Sequence, residues 1–436
     1  METVWEQNTP PVKFPSLEGN KNTDVLIIGG GIAGILCVYK LKNAGVDCIV
    51  AEAKNILSGI TKNTTAKITL GHGLIYDKLI ERFGEEKARL YLEAQIHAGE
   101  EYARLCSEIN CDYEKKDSYV YSLQYRKKIE KESAALNRLG VKAEFSDARD
   151  IPIETAGVVR VKDQAQFHPM RFLYTIAGDL PIYENTKVAA LKPGRAVTNH
   201  GEIGYKRLII ATHLPMLNKH GGYFLKLYQH RSYVIALKGA QNVNGMYVDE
   251  SDTGLSFRNY GDLLLLGGGG HRTGKQGGGW QELENFARKH YKEAEITGRW
   301  ATQDCMTLDG IPYIGQYAKS TPDVYVATGF NKWGMTNAMA AADILCDLVQ
   351  WKPNPYAEVF SPSRSILHPQ LAVNAFESTI GHLTPTVPRC PHLGCALKYN
   401  KAEHTWDRPC HGSRFAEDGE LIDNPTTDDC RGIGDT

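Results

Sequence analysis

The chain has 436 residues, with 50 basic and 51 acidic side chains. This length accommodates a large two-lobed domain and a small appended one. The balanced charge creates no global field that would attract nucleic acid or an anionic membrane, and the longest apolar runs are far too short to span a bilayer. We therefore expect no nucleic-acid partner and no transmembrane segment.

Cysteine usage and the N-terminus indicate the compartment. The ten cysteines do not follow the pattern of a secreted disulfide framework, and Cys37, Cys48 and Cys346 lie in apolar segments where buried free thiols are common. Residues 1–19 lack the basic and then apolar regions of a secretory signal. We expect a cytoplasmic protein.

A nucleotide-binding pattern follows the N-terminal segment. An apolar run precedes Gly29, Gly31 and Gly34, which have the spacing G-x-G-x-x-G, and a helical pattern comes next. In such a unit the first glycine permits a tight turn, the second admits a pyrophosphate, and the third allows close packing of helix and strand. Glu52 ends the second apolar run, where a carboxylate accepts hydrogen bonds from the adenosine ribose. A glycine-rich turn in an unrelated α/β protein is the alternative, but it does not explain strand, helix and acid together.

A second glycine-rich turn, late in the chain, favours FAD over NAD. In the stretch ATGFNKWGMTNAMAA an apolar strand meets Gly329, and a helix begins around Gly334, Met335 and Thr336. The dipole at the N-terminus of that helix suits the N1/C2=O region of a reduced flavin, a requirement that a pyridine nucleotide lacks.

The order of these features resembles the D-amino acid oxidase / glycine oxidase superfamily of FAD-dependent oxidoreductases, and more closely its bacterial members with a C-terminal Rieske domain. The further stretches that carry the resemblance are SGITKNTTAKIT, QAQFHP, LIIATHLP, LLLLGGGGHRTG and LDGIPYIG. The resemblance implies an α/β fold with a doubly wound FAD-binding lobe, built from discontinuous segments, and a substrate lobe with an antiparallel sheet. A small all-β Rieske-like module would follow.

The same resemblance suggests further contacts to FAD. We expect Thr64, Thr65 and Ala66 to bind it, although a polar turn that enters a strand would have the same sequence. The resemblance also places Asp309 beside the flavin, within a stretch rich in turn residues.

The implied activity is oxidation of an amine or amino-acid-type substrate, with hydride passing from the substrate α-carbon to flavin N5. Such chemistry depends on positioning the carbon about 3–3.5 Å from the acceptor atom. Arg231, Arg258 and His271 are the candidates for a carboxylate clamp. Alternation along RSYVIAL places Arg231 and Tyr233 on one face of a strand, a position equally compatible with an ion pair to an acid on the sheet.

Proline-rich turn signals divide the chain. We predict an oxidoreductase domain over residues 1–350, a linker with a docking helix (residues 369–380) over 351–385, and the Rieske-like module over 386–436.

The module shows most of a [2Fe–2S] ligand set. A Rieske centre needs two thiolates on one iron and two imidazoles on the other. Cys390, His392 and His411 fit the family spacing, and the second thiolate falls at position 408, which is Arg408. A guanidinium is cationic and cannot serve as a ligand.

Other residues of the module also match the family. The resemblance assigns Cys395 and Cys410 to the disulfide that bridges the two cluster loops, and it assigns the Ser413 hydroxyl to a bridging sulfide. Phe415 stands where some members have a tyrosine. A [2Fe–2S] cluster is therefore expected from the family but not in stable form in this chain.

Two other functions remain open at this point. One is a non-catalytic FAD-binding scaffold or sensor that docks a partner through the module. The other is a flavoprotein coupled to ferredoxin or NAD(P)H, although no second complete G-x-G-x-x-G unit follows Gly34. The sequence does not select the electron acceptor.

Overall fold

The computed structural model describes residues 2–7, 9–146, 150–217, 221–383, 388–391, 395–410, 412–424, 426 and 429–430. The α-helices in these ranges are α1 (Ile32–Asn43), α2 (Tyr76–Phe83), α3 (Glu85–Cys106), α4 (Arg126–Arg138), α5 (Pro169–Ala177), α6 (Tyr223–Lys226), α7 (Gly279–His290), α8 (Gly334–Leu348), α9 (Ala357–Phe360) and α10 (Pro369–Leu383). A 3-10 turn covers Ile60–Asn63.

The strands are β1 (Lys21–Ile28), β2 (Cys48–Ala51), β3 (Lys67–Ile68), β4 (Glu114–Ser122), β5 (Ala143–Ser146), β6 (Gly157–Gln166), β7 (Ile182–Tyr183), β8 (Val188–Lys192), β9 (Arg195–Thr198), β10 (Gly201–Ile210), β11 (Leu227–Lys238), β12 (Met246–Asp249), β13 (Ser256–Tyr260), β14 (Leu263–Arg272), β15 (Glu295–Thr307), β16 (Tyr313–Ala318), β17 (Thr321–Thr328), β18 (Lys398–Asn400), β19 (Thr405–Asp407), β20 (Arg414–Phe415) and β21 (Leu421–Asp423).

The first sheet has the order β16–β17–β10–β1–β2–β7, and β9 and β8 extend it from β10. The pairs β17–β10, β10–β1, β1–β2 and β2–β7 are parallel. Residues 25–28, 208–210 and 325–328 are buried runs without alternation, as expected for parallel strands covered on both faces. This sheet is the doubly wound lobe that the sequence predicts, assembled from three distant segments.

The second sheet has the order β15–β11–β14–β13–β12–β4–β6–β3, and β5 pairs with β6. Its pairs are antiparallel except for β12–β4. Strands β11 and β15 pair over almost their full length, so side chains directly opposite each other share one face of the sheet. This sheet forms the substrate lobe.

The C-terminal module contains a small antiparallel sheet in the order β18–β19–β20–β21. Cys390, Leu397, Phe415 and Cys430 form its buried core. None of the described helices has the length and apolar character needed to cross a membrane.

Candidate functional site

The glycine motif lies in the turn between β1 and α1, and two of its glycines are required by packing. Gly29 has φ +109°, and a Cβ there would lie 2.6 Å from the carbonyl oxygen of Ala211. A Cβ at Gly34 would lie 1.9 Å from the carbonyl oxygen of Gly29. A side chain at Gly29 would therefore clash with the backbone that follows β10, and one at Gly34 would force the turn after β1 and helix α1 apart.

Gly31 differs because the space beside it is open. A Cβ there would meet only the Thr61 hydroxyl, at 3.4 Å. The same hydroxyl accepts a hydrogen bond from the Ile32 N–H at 3.0 Å. The chain thus leaves room beside the backbone at the N-terminus of α1, where a pyrophosphate binds in dinucleotide sites.

Glu52 ends β2 next to this turn. Its carboxylate accepts hydrogen bonds from the Gly30 N–H at 2.6 Å and the Lys54 N–H at 2.8 Å. Burial raises the pKa of Glu52, and these backbone donors oppose the shift. The acid thus lies beside the glycine-rich turn, and its contact with an adenosine ribose stays a prediction.

A cavity of about 1020 Å³ connects these residues to the second sheet. It runs from Gly31 and Glu52 to the turn at residues 329–334. Its volume is at the upper end for small-molecule sites, which suits a dinucleotide with a substrate beside it. At the far end, α8 begins at Gly334 without a side-chain cap, so the N-terminus of this helix is available to electron-rich oxygens.

Thr64 and Thr65 border the cavity, and a buried arginine holds the segment 64–66. Thr64 Oγ1 accepts a hydrogen bond from the Ala66 N–H at 2.9 Å, and Ala66 has φ +52°. Arg258 Nη1 donates to the carbonyl oxygens of Thr65 at 2.6 Å and Ala66 at 2.9 Å. Arg258 is fully buried and shapes the loop that carries the expected FAD contacts.

His72 and Trp333 line the cavity, and the sequence analysis did not identify either one. Their rings stack with centroids 5.1 Å apart. His72 Nδ1 lies 2.7 Å from the Tyr91 hydroxyl, and Nε2 lies 2.9 Å from the hydroxyl of Thr336. Burial lowers the pKa of His72 to about 3, so the imidazole is neutral at physiological pH.

Lys67 is a further cavity residue without a strong sequence signal. Its ammonium donates to the Thr65 hydroxyl at 2.9 Å. Burial and the nearby charge of Arg258 lower the pKa of Lys67 to about 7.

Asp309 borders the cavity, but its carboxylate has a partner within the chain. Arg364 binds both oxygens, each at 2.8 Å. The guanidinium also lies 3.9 Å from the ring centroid of Tyr313. Burial raises the pKa of Asp309, and Arg364 lowers it by more.

None of the three clamp candidates is among the described residues that line the cavity. Arg231 Nε donates to Glu403 of the C-terminal module at 2.9 Å. The Tyr233 hydroxyl donates to the same carboxylate at 3.1 Å and lies 3.0 Å from His271 Nε2. The strand pattern left open an ion pair for Arg231, and the structure forms it with an acid 172 residues away.

Further hydrogen bonds hold the module against β15 of the second sheet and against the segment that follows β10 of the first sheet. Gln303 Nε2 donates to the Gly412 carbonyl at 2.9 Å. Asn424 Nδ2 donates to the carbonyls of Thr212 at 2.7 Å and Leu214 at 3.1 Å. Gly412 and Asn424 of the module therefore lie directly against the oxidoreductase lobes.

Arg408 is fully buried in the module. Its Nη1 donates to the sulfur of Cys390 at 3.4 Å, and its Nη2 donates to the sulfur of Cys395 at 3.3 Å. Donation of a hydrogen bond from the Cys410 thiol to Cys395, together with burial, raises the pKa of Cys410, so these two sulfurs are neighbours. His392 and His411 lie outside the described residues.

The two implied cofactors fit the chain differently. The open space at Gly31, the position of Glu52 and the uncapped start of α8 fit FAD. In the module, the guanidinium of Arg408 contacts Cys390 at the position that the sequence predicts for the second thiolate, and a guanidinium does not fit the ligand set of a [2Fe–2S] cluster.

Comparison with known proteins identifies the same two domains. Residues 24–348 match the family model of the FAD-dependent oxidoreductases (DAO), and residues 364–433 match that of the Rieske [2Fe–2S] domain. The chain is 34% identical to the putative Rieske 2Fe–2S iron–sulfur protein YhfW of Bacillus subtilis, over 97% of this chain and 96% of that protein. It is 22% identical to the γ-glutamylputrescine oxidoreductase of Escherichia coli, over 77% and 86% of the two chains.

Solved structures share the fold of the first domain. L-Proline dehydrogenase from P. horikoshii superposes with a TM-score of 0.68 at 17% identity, over 79% of this chain and 98% of that one. Glycine oxidase from Geobacillus kaustophilus superposes with a TM-score of 0.66 at 16% identity, over 79% and 100%. This chain belongs to the DAO family of FAD-dependent oxidoreductases and carries a C-terminal Rieske [2Fe–2S] domain.

Proposed function

We propose that this protein oxidises the carbon–nitrogen bond of a small amine or amino-acid-type substrate with FAD as the acceptor. The observation that carries the proposal is the single cavity that joins the nucleotide-binding turn at Gly31 to the polar and aromatic walls at His72 and Trp333. A cofactor and a substrate can lie end to end in such a space.

The residues around Gly31, with Thr61 and Glu52, would hold the phosphates and the ribose, and the start of α8 would face the flavin. Bound FAD supplies the acceptor for a hydride taken from the carbon that bears the nitrogen. The FAD contacts of Thr64, Thr65 and Met335 remain predictions, supported by their position along the same wall.

His72 and Trp333 would orient the substrate. The two stacked rings form a flat, neutral surface, and hydrogen bonds to Tyr91 and Thr336 fix the imidazole. A rigid wall of this kind limits the orientations of a bound molecule, which is the main requirement for hydride transfer.

The relatives support the reaction class. The γ-glutamylputrescine oxidoreductase, the proline dehydrogenase and the glycine oxidase are named for nitrogen-bearing compounds. We carry over to this chain the carbon–nitrogen bond as the class of target, together with a small-molecule substrate. The cytoplasmic location stays a prediction from the sequence.

For the module we propose a docking role without a stable cluster. Arg408 occupies the position of a thiolate ligand, and its guanidinium contacts the sulfurs of Cys390 and Cys395. The Arg231–Glu403 pair and the Gln303–Gly412 bond hold the module against the substrate lobe. The domain limits at 350 and 386 remain predictions.

Anaerobic absorbance spectra of the FAD-loaded protein with a panel of amines and amino acids test this function. We expect at least one compound to bleach the flavin bands and to yield the corresponding carbonyl product. Bleaching by NAD(P)H alone would support a pyridine-nucleotide-coupled flavoprotein instead. Bleaching by dithionite but by no candidate substrate would support a non-catalytic scaffold.

A further inference from the structure

One carboxylate in the cavity wall has no use in the site described so far. Asp304 lies on β15, directly opposite His230 of β11, and is half-buried. Thr302, two residues earlier on the same strand, pairs with Ser232. All three of Ser232, Thr302 and Asp304 line the cavity.

The surrounding charges leave Asp304 without a counterion. Among the described residues, no side chain forms a hydrogen bond or ion pair with its carboxylate. Lys332, a basic residue of the cavity wall, lowers the pKa of Asp304 through its charge, but its ammonium donates to the Asp252 carbonyl at 2.7 Å. Burial raises the pKa of Asp304, and Lys332, His213 and Arg231 oppose this shift. A half-buried carboxylate of this kind is costly to keep charged unless a cation binds beside it.

The arginines that could bind a carboxylate are already engaged. Arg231 points to the opposite side of the sheet and pairs with Glu403, and Arg258 donates to the carbonyls of Thr65 and Ala66. Both are at most 2% exposed. A substrate carboxylate would therefore find no free guanidinium on this wall, and it would be repelled by Asp304.

We propose that Asp304 determines substrate specificity by binding the positive charge of a small cationic amine that bears no carboxylate. The substrate class is thus an ammonium compound, such as a monoamine or diamine, rather than a zwitterionic amino acid. The hydroxyls of Ser232 and Thr302 lie on the same face and can accept its remaining N–H donors. This inference rests on the proposed amine oxidation and specifies its substrate.

The acidic end of the cavity extends the same charge preference. Asp249 is 7% exposed, and Asp252 follows it in the turn after β12. Both line the cavity together with Asp304. A second ammonium group of a diamine would therefore lie near negatively charged carboxylates, which favour its binding.

Binding to the FAD-loaded protein, reduced beforehand with dithionite under anaerobic conditions, tests the inference without turnover. The probes are 1,4-diaminobutane and succinate, which have equal chain length and opposite charge, and calorimetry measures the affinity. We expect the diamine to bind and succinate not to bind. Asp304→Asn should weaken diamine binding by about tenfold or more, since a charge-assisted bond is lost. Asp304→Glu should retain most of the affinity.

Asp262→Asn is the matched control, because this aspartate is 72% exposed and lies outside the cavity wall. It should bind the diamine as the wild type does. FAD content and melting temperature of each variant report folding. If Asp304→Asn fails to fold, the comparison of the two probes on the wild type still decides the charge preference.

Several results would overturn the inference. They are tighter binding of succinate than of the diamine, no binding of the diamine, equal diamine affinity in Asp304→Asn, and a carboxylate ligand whose binding depends on Lys67. Asp304-dependent binding without flavin reduction by any amine would keep this inference and refute the proposed oxidation. Flavin reduction by amino acids at a rate unaffected by Asp304→Asn would support the proposed oxidation and refute this inference.

Discussion

The Arg408 guanidinium donates a hydrogen bond to the sulfur of Cys390 at 3.4 Å inside the Rieske domain. The sequence predicts the two thiolate ligands of one iron at these two positions, and the structure shows a hydrogen bond between the two side chains there. Because Arg408 is fully buried, the replacement is part of the packing of the module.

The first prediction is that the purified protein carries little iron and acid-labile sulfide and shows no Rieske EPR signal on reduction. Arg408→Cys should restore all three, because Cys390 and the two histidines of the family pattern are present. The restored centre should have a potential within the Rieske range of about −150 to +300 mV. With Phe415 in place of a tyrosine hydroxyl, we expect the lower part of that range.

Arg408→Ser is the control for this prediction. This substitution removes the guanidinium without supplying a thiolate, so the variant protein should still contain little iron. A stoichiometric cluster in the unchanged protein would contradict the prediction and would mean that another thiol, such as Cys410 or Cys430, has become a ligand. An Arg408→Cys protein without iron would show that the module has lost more than one ligand.

The second prediction concerns the pyrophosphate position. Gly31→Val should fold but contain little FAD, because its side chain would fill space that the protein leaves open beside Thr61. The flavin content per chain, measured by absorbance after denaturation, checks this. Gly99→Val is the control, since a Cβ at Gly99 meets nothing within 4 Å in the middle of α3. Wild-type FAD occupancy in Gly31→Val would show that the phosphates lie elsewhere.

The third prediction is that the Arg231–Glu403 pair contributes strongly to module docking. Glu403→Gln leaves the buried Arg231 guanidinium uncompensated and should cost about 3–5 kcal/mol, whereas Arg231→Met should cost less because Glu403 stays paired with Arg414. Arg231→Met and Glu403→Gln should each destabilise the protein in urea unfolding, and the double variant should lose less than the sum. The exposed pair Lys238–Asp262, 3.9 Å apart, is the control and should contribute less than about 1 kcal/mol. Additive losses at Arg231 and Glu403 would refute the coupling.

The fourth prediction follows from the acidity of Glu403. Burial raises the pKa of this carboxyl, but Arg231 and Arg414 lower it to about 2, from 4.5. The unfolded chain therefore binds the proton more readily than the folded one, so the stabilisation is complete above about pH 5 and is lost as the pH falls from 4.5 towards 2. Melting temperatures between pH 6 and pH 3 should fall less steeply in Glu403→Gln. Parallel curves for the two proteins would contradict this.

Local signals in the sequence predict the nucleotide-binding lobe well. The turn at Gly29, Gly31 and Gly34 and the acid at Glu52 are close in sequence, and each has a direct steric or hydrogen-bonding reason. The start of α8 at Gly334 is also visible, because a buried strand and a glycine-rich turn precede it.

The substrate side depends on contacts between distant residues, and the sequence alone does not specify them. The strand pattern makes Arg231 a candidate for a substrate ligand. In the structure it pairs instead with Glu403, which lies 172 residues away in the sequence. Arg258 is likewise engaged by distant partners, because the carbonyl groups that it binds precede it by almost 200 residues. Asp304 has no motif, and only the register of β15 against β11 places it in the cavity wall.

The C-terminal tail contributes a residue to the core of the module that the sequence does not predict. Its glycine- and aspartate-rich composition gives no core signal, yet Cys430 is 3% exposed and packs in the module core beside Cys390. A single buried side chain in a polar segment does not produce a periodic pattern, so only the fold reveals it.

The most direct test is anaerobic stopped-flow reduction of the bound flavin by the amines and amino acids of the panel. Each active compound is compared with its analogue deuterated at the carbon that bears the nitrogen. We predict that at least one compound reduces the flavin and that its deuterated form does so more slowly, because the carbon–hydrogen bond breaks in that step. A flavin that dithionite reduces but no candidate substrate reduces, or reduction with no isotope effect under single-turnover conditions, would contradict carbon–nitrogen oxidation by hydride transfer.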